Sequence, residues 1–346
     1  MKIILKIISL FLLILLLFII YFSFIGFETT KFNNQIQNKI SEIDDNLGIE
    51  FKELKLILDP FKFNISAKTL GPKITFKNKS LEIESIKTNI SLKSLINNQF
   101  SLEKVEISTK SLEISDTISF VRSLYKIPEL VVLEKILKIK GYLIADLKIE
   151  FDQKGNLKDN YSVNGFIKDT KFTLFKDYEI DKLNFIFNIK KNDLEIKDLK
   201  LKLNGLKLNS KKISSKKIQN EFHFKGDFEN ETVELSKENI YLVQKNFLSE
   251  IDIQKLKFSS KNNFSLRINE KFKIIEPQII SKIKINDAKI LNKLSLEKIF
   301  PNIKKEISFL DNEINLNYKK NFLSIDGTGN LLLQKTKEEI FYKIKK

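Results

Sequence analysis

The tightest constraint on this chain is a change of hydrophobic period near residue 50. From Glu50 onward apolar residues recur at every second position. Examples are Leu54, Leu56, Leu58; Leu183, Phe185, Phe187, Ile189; Leu199, Leu201, Leu203; Phe264, Leu266, Ile268; and Leu323, Ile325. Successive side chains of a strand point to opposite faces, so this pattern predicts strands with one apolar face and one wet face. Lysines and acids fill the intervening positions, most densely in Leu194–Leu208. The alternation amounts to about 16 strand-length segments bounded by turn residues. The turn signals are Gly71-Pro72, Asn78, Gly155-Asn156, Asn192-Asp193, Asn204-Gly205, Asn262-Asn263 and Asp326-Gly327. Short connections of this kind imply antiparallel meanders, and Asn204-Gly205 is the strongest hairpin signal among them.

The apolar faces must be hidden from water. Two sheets could hide them against each other as a sandwich, or one long curved sheet could form a trough with an apolar inner wall. Sandwich domains usually close at 100–150 residues with a visible linker. This chain holds 10 glycines and 5 prolines and has no Pro/Gly/Ser linker past residue 48. One mainly β domain over 49–346 is therefore expected, a continuous antiparallel sheet with few short helices. The helix candidates are Ser91–Asn97, Asp116–Lys126, Asn239–Phe247 and Leu294–Phe300, while Glu129–Leu137 reads equally as helix or strand.

The N-terminus has a different character. After Lys2 and Lys6, the 21 positions Ile7 to Phe27 are apolar except Ser9, Ser23 and Gly26. As a helix they would reach roughly 31 Å, the thickness of a bilayer's hydrocarbon core. The lysines precede the span, so the positive-inside rule predicts a cytoplasmic N-terminus and export of everything past residue 28. A cleaved signal peptide would need an apolar core of about 7–15 residues and a small-x-small cleavage site. The run is longer, and Phe24, Ile25 and Phe27 leave no such site, so 1–28 is expected to be an uncleaved anchor. Next to it, Phe32, Ile36, Ile40, Ile43 and Leu47 make one helical stripe over Lys31–Leu47. Thr29 or Thr30 would cap this amphipathic helix (29–48), Gly48 would end it, and the open end of the sheet is its expected partner.

Composition closes off most chemistry. There is no cysteine, which removes disulfides, thiolate metal sites and cysteine nucleophiles. The formal charge of +16 rests almost wholly on lysine, since Arg122 and Arg267 are the only arginines. Guanidinium forks for phosphate and guanine are nearly lacking, so nucleic acid is not an expected partner. Scattered solvated lysines, or a surface for anionic headgroups, explain the charge better. His223, the only histidine, sits in Phe222-His223-Phe224, where alternation sends the imidazole outward. No triad or multi-histidine metal site can be built from it. Gly327-Thr328-Gly329-Asn330 lacks the Gly-Lys-Ser/Thr of a phosphate loop. The basic run Ser210–Lys217 reads as a solvated turn, or as a headgroup contact. Neither enzymatic activity nor a metal or cofactor is expected.

The order of anchor, short amphipathic helix and strand ladder resembles the AsmA-like family (AsmA, YhdP and TamB types). The resemblance rests on FKELKLILDPFKFNISAKTLGPKITFKNKSLEIESIKTNISLKSLINNQFSLEKVEIS, from Phe51 to Ser108, and on GYLIADLKIEFDQKGNLKDNYSVNGFIKDTKF, residues 141–172. It is one of pattern, with no catalytic motif. It implies a β-groove lined by aliphatic side chains, anchored in the bacterial inner membrane, with its C-terminal domain in the periplasm. It further implies conduction of phospholipids in support of outer-membrane biogenesis, together with a possible envelope protein partner. Leu183, Phe185, Phe187, Leu201, Leu203, Phe222 and Phe224 are then the candidate groove lining, and a uniform lining would let lipid slide. The alternative is a structural or assembly module that binds outer-membrane proteins through a free strand edge.

Overall fold

A computed structural model of the chain describes residues 2–91, 102–125, 128–131, 134, 138–152, 158–174, 177–247, 252–271, 273–291, 306–333 and 336–346. The helix candidates at 91–97 and 294–300, and the turn at Gly155-Asn156, lie largely or wholly outside the described residues. The fold is mainly β, 65% strand, with one large antiparallel sheet. Seventeen strands belong to that sheet and three to a small second one. The chain divides into two compact units, residues 1–166 with 188–191, and residues 167–187 with 192–346.

The first unit begins with α1 (Lys2–Phe24), whose residues Ile3–Phe24 are long and apolar enough to cross a membrane. The helix starts and stops earlier than the apolar run suggests. Gly26, at φ +71°, turns the chain so closely onto the sheet that a Cβ there would lie 2.4 Å from the Leu56 carbonyl oxygen. Phe27 to Thr29 thereby become a strand, β1 (Phe27–Thr29), paired antiparallel with β3 (Leu54–Asp59). The second helix, α2 (Asn33–Ile43), is shorter than the predicted Lys31–Leu47. Its N-cap is Phe32, with no side-chain bond, and the Thr29 hydroxyl instead accepts from the Lys31 N–H at 3.2 Å. At the other end the Asp44 carboxylate accepts the Asn46 N–H at 2.8 Å and turns the chain. Leu47 and Gly48 therefore belong to β2 (Leu47–Glu50), where Gly48 lies opposite Thr75. α2 packs on β2, and Asn33 donates to the Phe51 and Lys52 carbonyls.

β3 continues into β4 (Asn64–Leu70), which pairs with β7 (Ser85–Ser91), then β8 (Leu102–Ser108) and β10 (Lys140–Glu150). A short β9 (Leu112–Glu113) also pairs with β10. The small sheet consists of β2, β5 (Lys73–Phe76) and β6 (Lys79–Glu82). Between the two sheets lies α3 (Ile114–Leu124), touching β5, β6, β9 and β10; a single turn, α4 (Pro128–Val131), follows. Ile114, Ile118 and Phe120 of α3 are buried with Phe76, Leu112 and Ala145, and Ile83 is 1% exposed. These side chains form a small closed core, while α1 and Phe61, Phe63 and Leu70 leave large apolar surface exposed.

The second unit takes residues 167–174 of β11 (Ser162–Leu174) and 178–187 of β12 (Tyr178–Lys190), then β13 (Asp193–Leu203) and β14 (Leu206–Ile218). β15 (Glu221–Glu234), α5 (Lys237–Phe247), β16 (Asp252–Ile268), β17 (Ile274–Leu291), β18 (Glu306–Lys319), β19 (Phe322–Leu333) and β20 (Thr336–Lys345) follow. From β13 to β20 every strand pairs antiparallel with the next. Asn204 and Gly205 turn at φ +47° and +83°, both positive as a tight primed turn requires.

Three expected turns are instead strand. Asn262-Asn263 lies inside β16, because the Asn262 amide donates to the Phe228 carbonyl at 3.0 Å and to the Ser260 hydroxyl at 2.8 Å. Asp326-Gly327 lies inside β19, where Gly327 makes room for the Tyr342 ring; a Cβ would meet it at 2.4 Å. The run Ser210–Lys217 lies inside β14.

Candidate functional site: an uncovered apolar face

From β12 to β18 the strands carry slips in their alternation, while β19 and β20 pair without one. In β13 the exposed pair Lys197 and Asp198 separates Ile196 from Leu199, with Asp198 at φ +51°. In β14 the exposed pair Lys211 and Lys212 separates buried Ser210 from buried Ile213. The Asp227 carboxylate accepts both of their backbone N–H groups, at 3.1 and 3.3 Å. Lys182 in β12 and Asp311 in β18 are likewise at positive φ, and register shifts fall at Asn230/Val233, Lys257/Phe258 and Leu310/Glu313. An extra residue would ordinarily flip every following side chain to the other face. Repeated strand after strand, the slip keeps the apolar positions on one face throughout, and bulges of this kind bend the strands that bear them.

Along the slip runs a seam of small polar side chains. Ser210, Asn230, Ser260 and Asn312 are all buried. Ser260 donates to the Asn230 side-chain carbonyl at 2.6 Å, and the Asn230 amide donates to the Glu231 carbonyl at 2.9 Å. The Asn312 amide donates to the Leu310 and Asn330 carbonyls at 3.0 and 3.3 Å. Each bulge frees ladder carbonyls, and a buried carbonyl without a partner costs about 1–3 kcal/mol. Asn230 and Asn312 satisfy such carbonyls locally.

The seam divides the apolar face into two fields. Toward the Gly205 end lie Leu201 opposite Leu208 and Leu203 opposite Leu206. Toward the other end, marked by the β14–β15 turn at Gln219 and Asn220, lie Phe224 opposite Leu266 and Phe222 opposite Ile268. Phe185 and Phe187, 6.2 Å apart, sit in β12 on that side, with Leu183 beside the slip. Phe228 stacks on Phe264 at 5.5 Å, and Phe222 lies 6.4 Å from Phe224. The seven candidate residues occupy two fields with polar groups between them. Periodicity found the face, but only the slips reveal the seam.

Every one of the seven is half-buried. Among the described residues of the second unit, the apolar side chains that are buried are Ile180, Leu199, Ile213, Leu235, Ile240, Ala288 and Ile307. Leu235 and Ile240 belong to the α5 region, the only described helix of this unit. Neighbours within the sheet shield each apolar side chain from the sides, and α5 packs on β16.

The charged face behaves differently. Its cross-strand pairs include Lys284 opposite Glu313 and Lys282 opposite Asn315, which border a recess of about 530 Å³. A second recess, about 430 Å³, holds His223 and Arg267. Arg267 pairs with Glu221 at 3.0 Å and with Glu276, and His223 lies 3.8 Å from Glu221. His223 therefore points to the wet face, as alternation requires. Ion pairs with Lys212 and Lys197 hold the Glu195 carboxyl below the usual carboxylate range, and Lys171 is raised by Glu179. These groups lie in the open, where screening keeps such pairs weak. Among the described residues no cluster of three metal-ligating side chains forms. In comparisons with known proteins, no family model, curated protein or solved structure matches the chain.

Proposed function

We propose that the second unit shields phospholipid acyl chains on its apolar face, that α1 holds the protein in a bacterial inner membrane, and that the remainder works non-enzymatically in the periplasm, conducting lipid toward the outer membrane. The observation that carries this reading is the half-burial of Leu183, Phe185, Phe187, Leu201, Leu203, Phe222 and Phe224. A large apolar surface left open in a folded protein marks an interaction site. Each CH₂ of an acyl chain moved from water onto such a face gains up to about 0.8 kcal/mol. The seam gives the path a direction. A chain lying along a strand would cross the seam at Ser210, Asn230 or Ser260, where the small polar side chains offer it little apolar surface. A chain lying across the strands stays within one apolar field and meets a new side chain about every 4.8 Å. The path of least resistance thus runs from strand to strand.

A photoreactive phenylalanine analogue placed at Phe224 or Leu201 of the full chain, illuminated in membranes, should give phospholipid adducts by mass spectrometry. The same analogue at Lys225 or Lys200, on the charged face, should give none. Equal labelling at both faces, or adducts with protein only at Phe224, would overturn the reading.

A further inference from the structure

We propose that the Asn220 end of the second unit is a docking rim for a bilayer rich in anionic phospholipid. In a meander every second turn falls at the same end of the sheet. Here the β14–β15, β16–β17 and β18–β19 turns share one end, bringing Lys216, Lys217, Lys271, Lys273, Lys319 and Lys320 onto one rim. The acids beside them are Asp193, opposite Lys216, with Glu221, Glu270 and Glu276, and Arg267 engages both Glu221 and Glu276. The opposite end is balanced: Lys255 pairs with Asp287 at 2.7 Å and Lys289 with Glu306 at 3.2 Å. The charge of this unit is therefore polarised along its strands.

Large apolar side chains follow the same polarity. Ile218, Ile274 and Phe322 flank the three turns and are 45%, 57% and 50% exposed. A turn needs no isoleucine or phenylalanine to form, and these contribute little to any core. Interleaved with lysines, they match a membrane interface, where apolar groups enter the headgroup layer and lysine stems reach back to phosphate. Lys217 already reaches along the apolar face, its Nζ 5.2 Å from the Phe222 ring centre. Nucleic acid fits less well, because Arg267, the one arginine at this rim, is locked between Glu221 and Glu276. The rim could dock whether or not the apolar face carries lipid.

The chain has no cysteine, so one introduced thiol can be labelled without background. The full chain is reconstituted into phosphatidylcholine vesicles with or without about 30 mol % phosphatidylglycerol. An environment-sensitive dye is attached at I274C, F322C, N204C or, as the insertion control, F18C. Rim dyes should brighten and be quenched by brominated acyl chains only when phosphatidylglycerol is present, while the Asn204 dye stays silent. Combining K271E, K273E and K320E should abolish the rim signal, at about fivefold weaker docking per lysine. Should that variant fail to fold, loss of the rim signal of the otherwise native protein at high salt makes the same point. A silent rim with a quenched Phe18 dye, or equal quenching in both vesicles, overturns the proposal. So does a DNA duplex that binds the rim-labelled protein more tightly than the anionic vesicles do. None of these results depends on acyl-chain adducts at Phe224, so the two ideas can fail separately.

Discussion

Truncating Phe224 tests whether the apolar face is open, and Ile83 supplies the scale. Ile83 is 1% exposed in the closed core of the first unit. Removing its side chain leaves a cavity that the surroundings fill only partly, and Ile→Ala changes of this kind cost about 2–5 kcal/mol. A closed site would place Phe224→Ala at about 3–5 kcal/mol. Phe224 is instead half-buried, flanked across the ladder by Leu266 and Ser215. Water can fill the vacated space, so no cavity term arises. What remains is most of the burial energy of a phenylalanine, about 1–2.5 kcal/mol. Phe224→Glu should be tolerated at a similar cost, whereas Ile83→Glu should unfold the first unit. The two units need not unfold together, so a single midpoint would mislead. Hydrogen exchange in urea, resolved by peptide and run on delipidated protein, reads each unit by itself. Phe224→Ala costing as much as Ile83→Ala would mean that the face is covered, and the lipid-shielding reading would lose its foundation.

Other perturbations probe the devices around that face. Gly327→Ala should displace the Tyr342 ring and cost about 1–3 kcal/mol; Tyr342→Ala should absorb most of that loss in a double-mutant cycle, and additive costs would refute the contact. Asn230→Ala removes the acceptor of Ser260 and the donor to Glu231, so about 2 kcal/mol should vanish from the β15–β16 peptides, with unchanged exchange there as the contrary result. Gly205→Val forces a branched residue to φ +83° and should cost about 1–2 kcal/mol with faster exchange confined to β13 and β14. Glu195 has its folded-state value depressed by Lys212 and Lys197. Its contribution is therefore present above the ordinary carboxylate range and is lost as pH falls through the lowered value. Glu195→Gln should flatten that acid-side loss slightly, and high salt should erase the difference in exchange of the β13 and β14 peptides; a loss on the alkaline side would reverse the sign.

Much of this architecture is legible in the residues. Period-two alternation announces the antiparallel ladder, Asn204-Gly205 announces its hairpin, and the stripe at Asp116–Lys126 announces α3. The misreadings share a physical cause. Asn262-Asn263 and Asp326-Gly327 carry turn residues, yet there asparagine ties the seam together and glycine admits a ring, both properties of the neighbouring strand. Gly48 stands where a helix could end but serves a close approach to Thr75. The seam itself had a signal: odd gaps between apolar positions, three from Ile196 to Leu199 and five from Leu208 to Ile213. A single gap looks like noise, and only pairing sets the gaps side by side.

The junction at Gly26 has one further effect. Phe24 ends α1 and Phe27 begins β1, so the stretch between them reaches at most about 11 Å even fully drawn out, and Gly26 folds it back. If α1 sits in a membrane as proposed, β1 is held at headgroup depth, and β3 is held with it through the Phe27–Leu56 pairing. There is no slack to pivot on. Any tilt or rotation of the buried helix must be carried straight into the first strands, as a mast turns with its step.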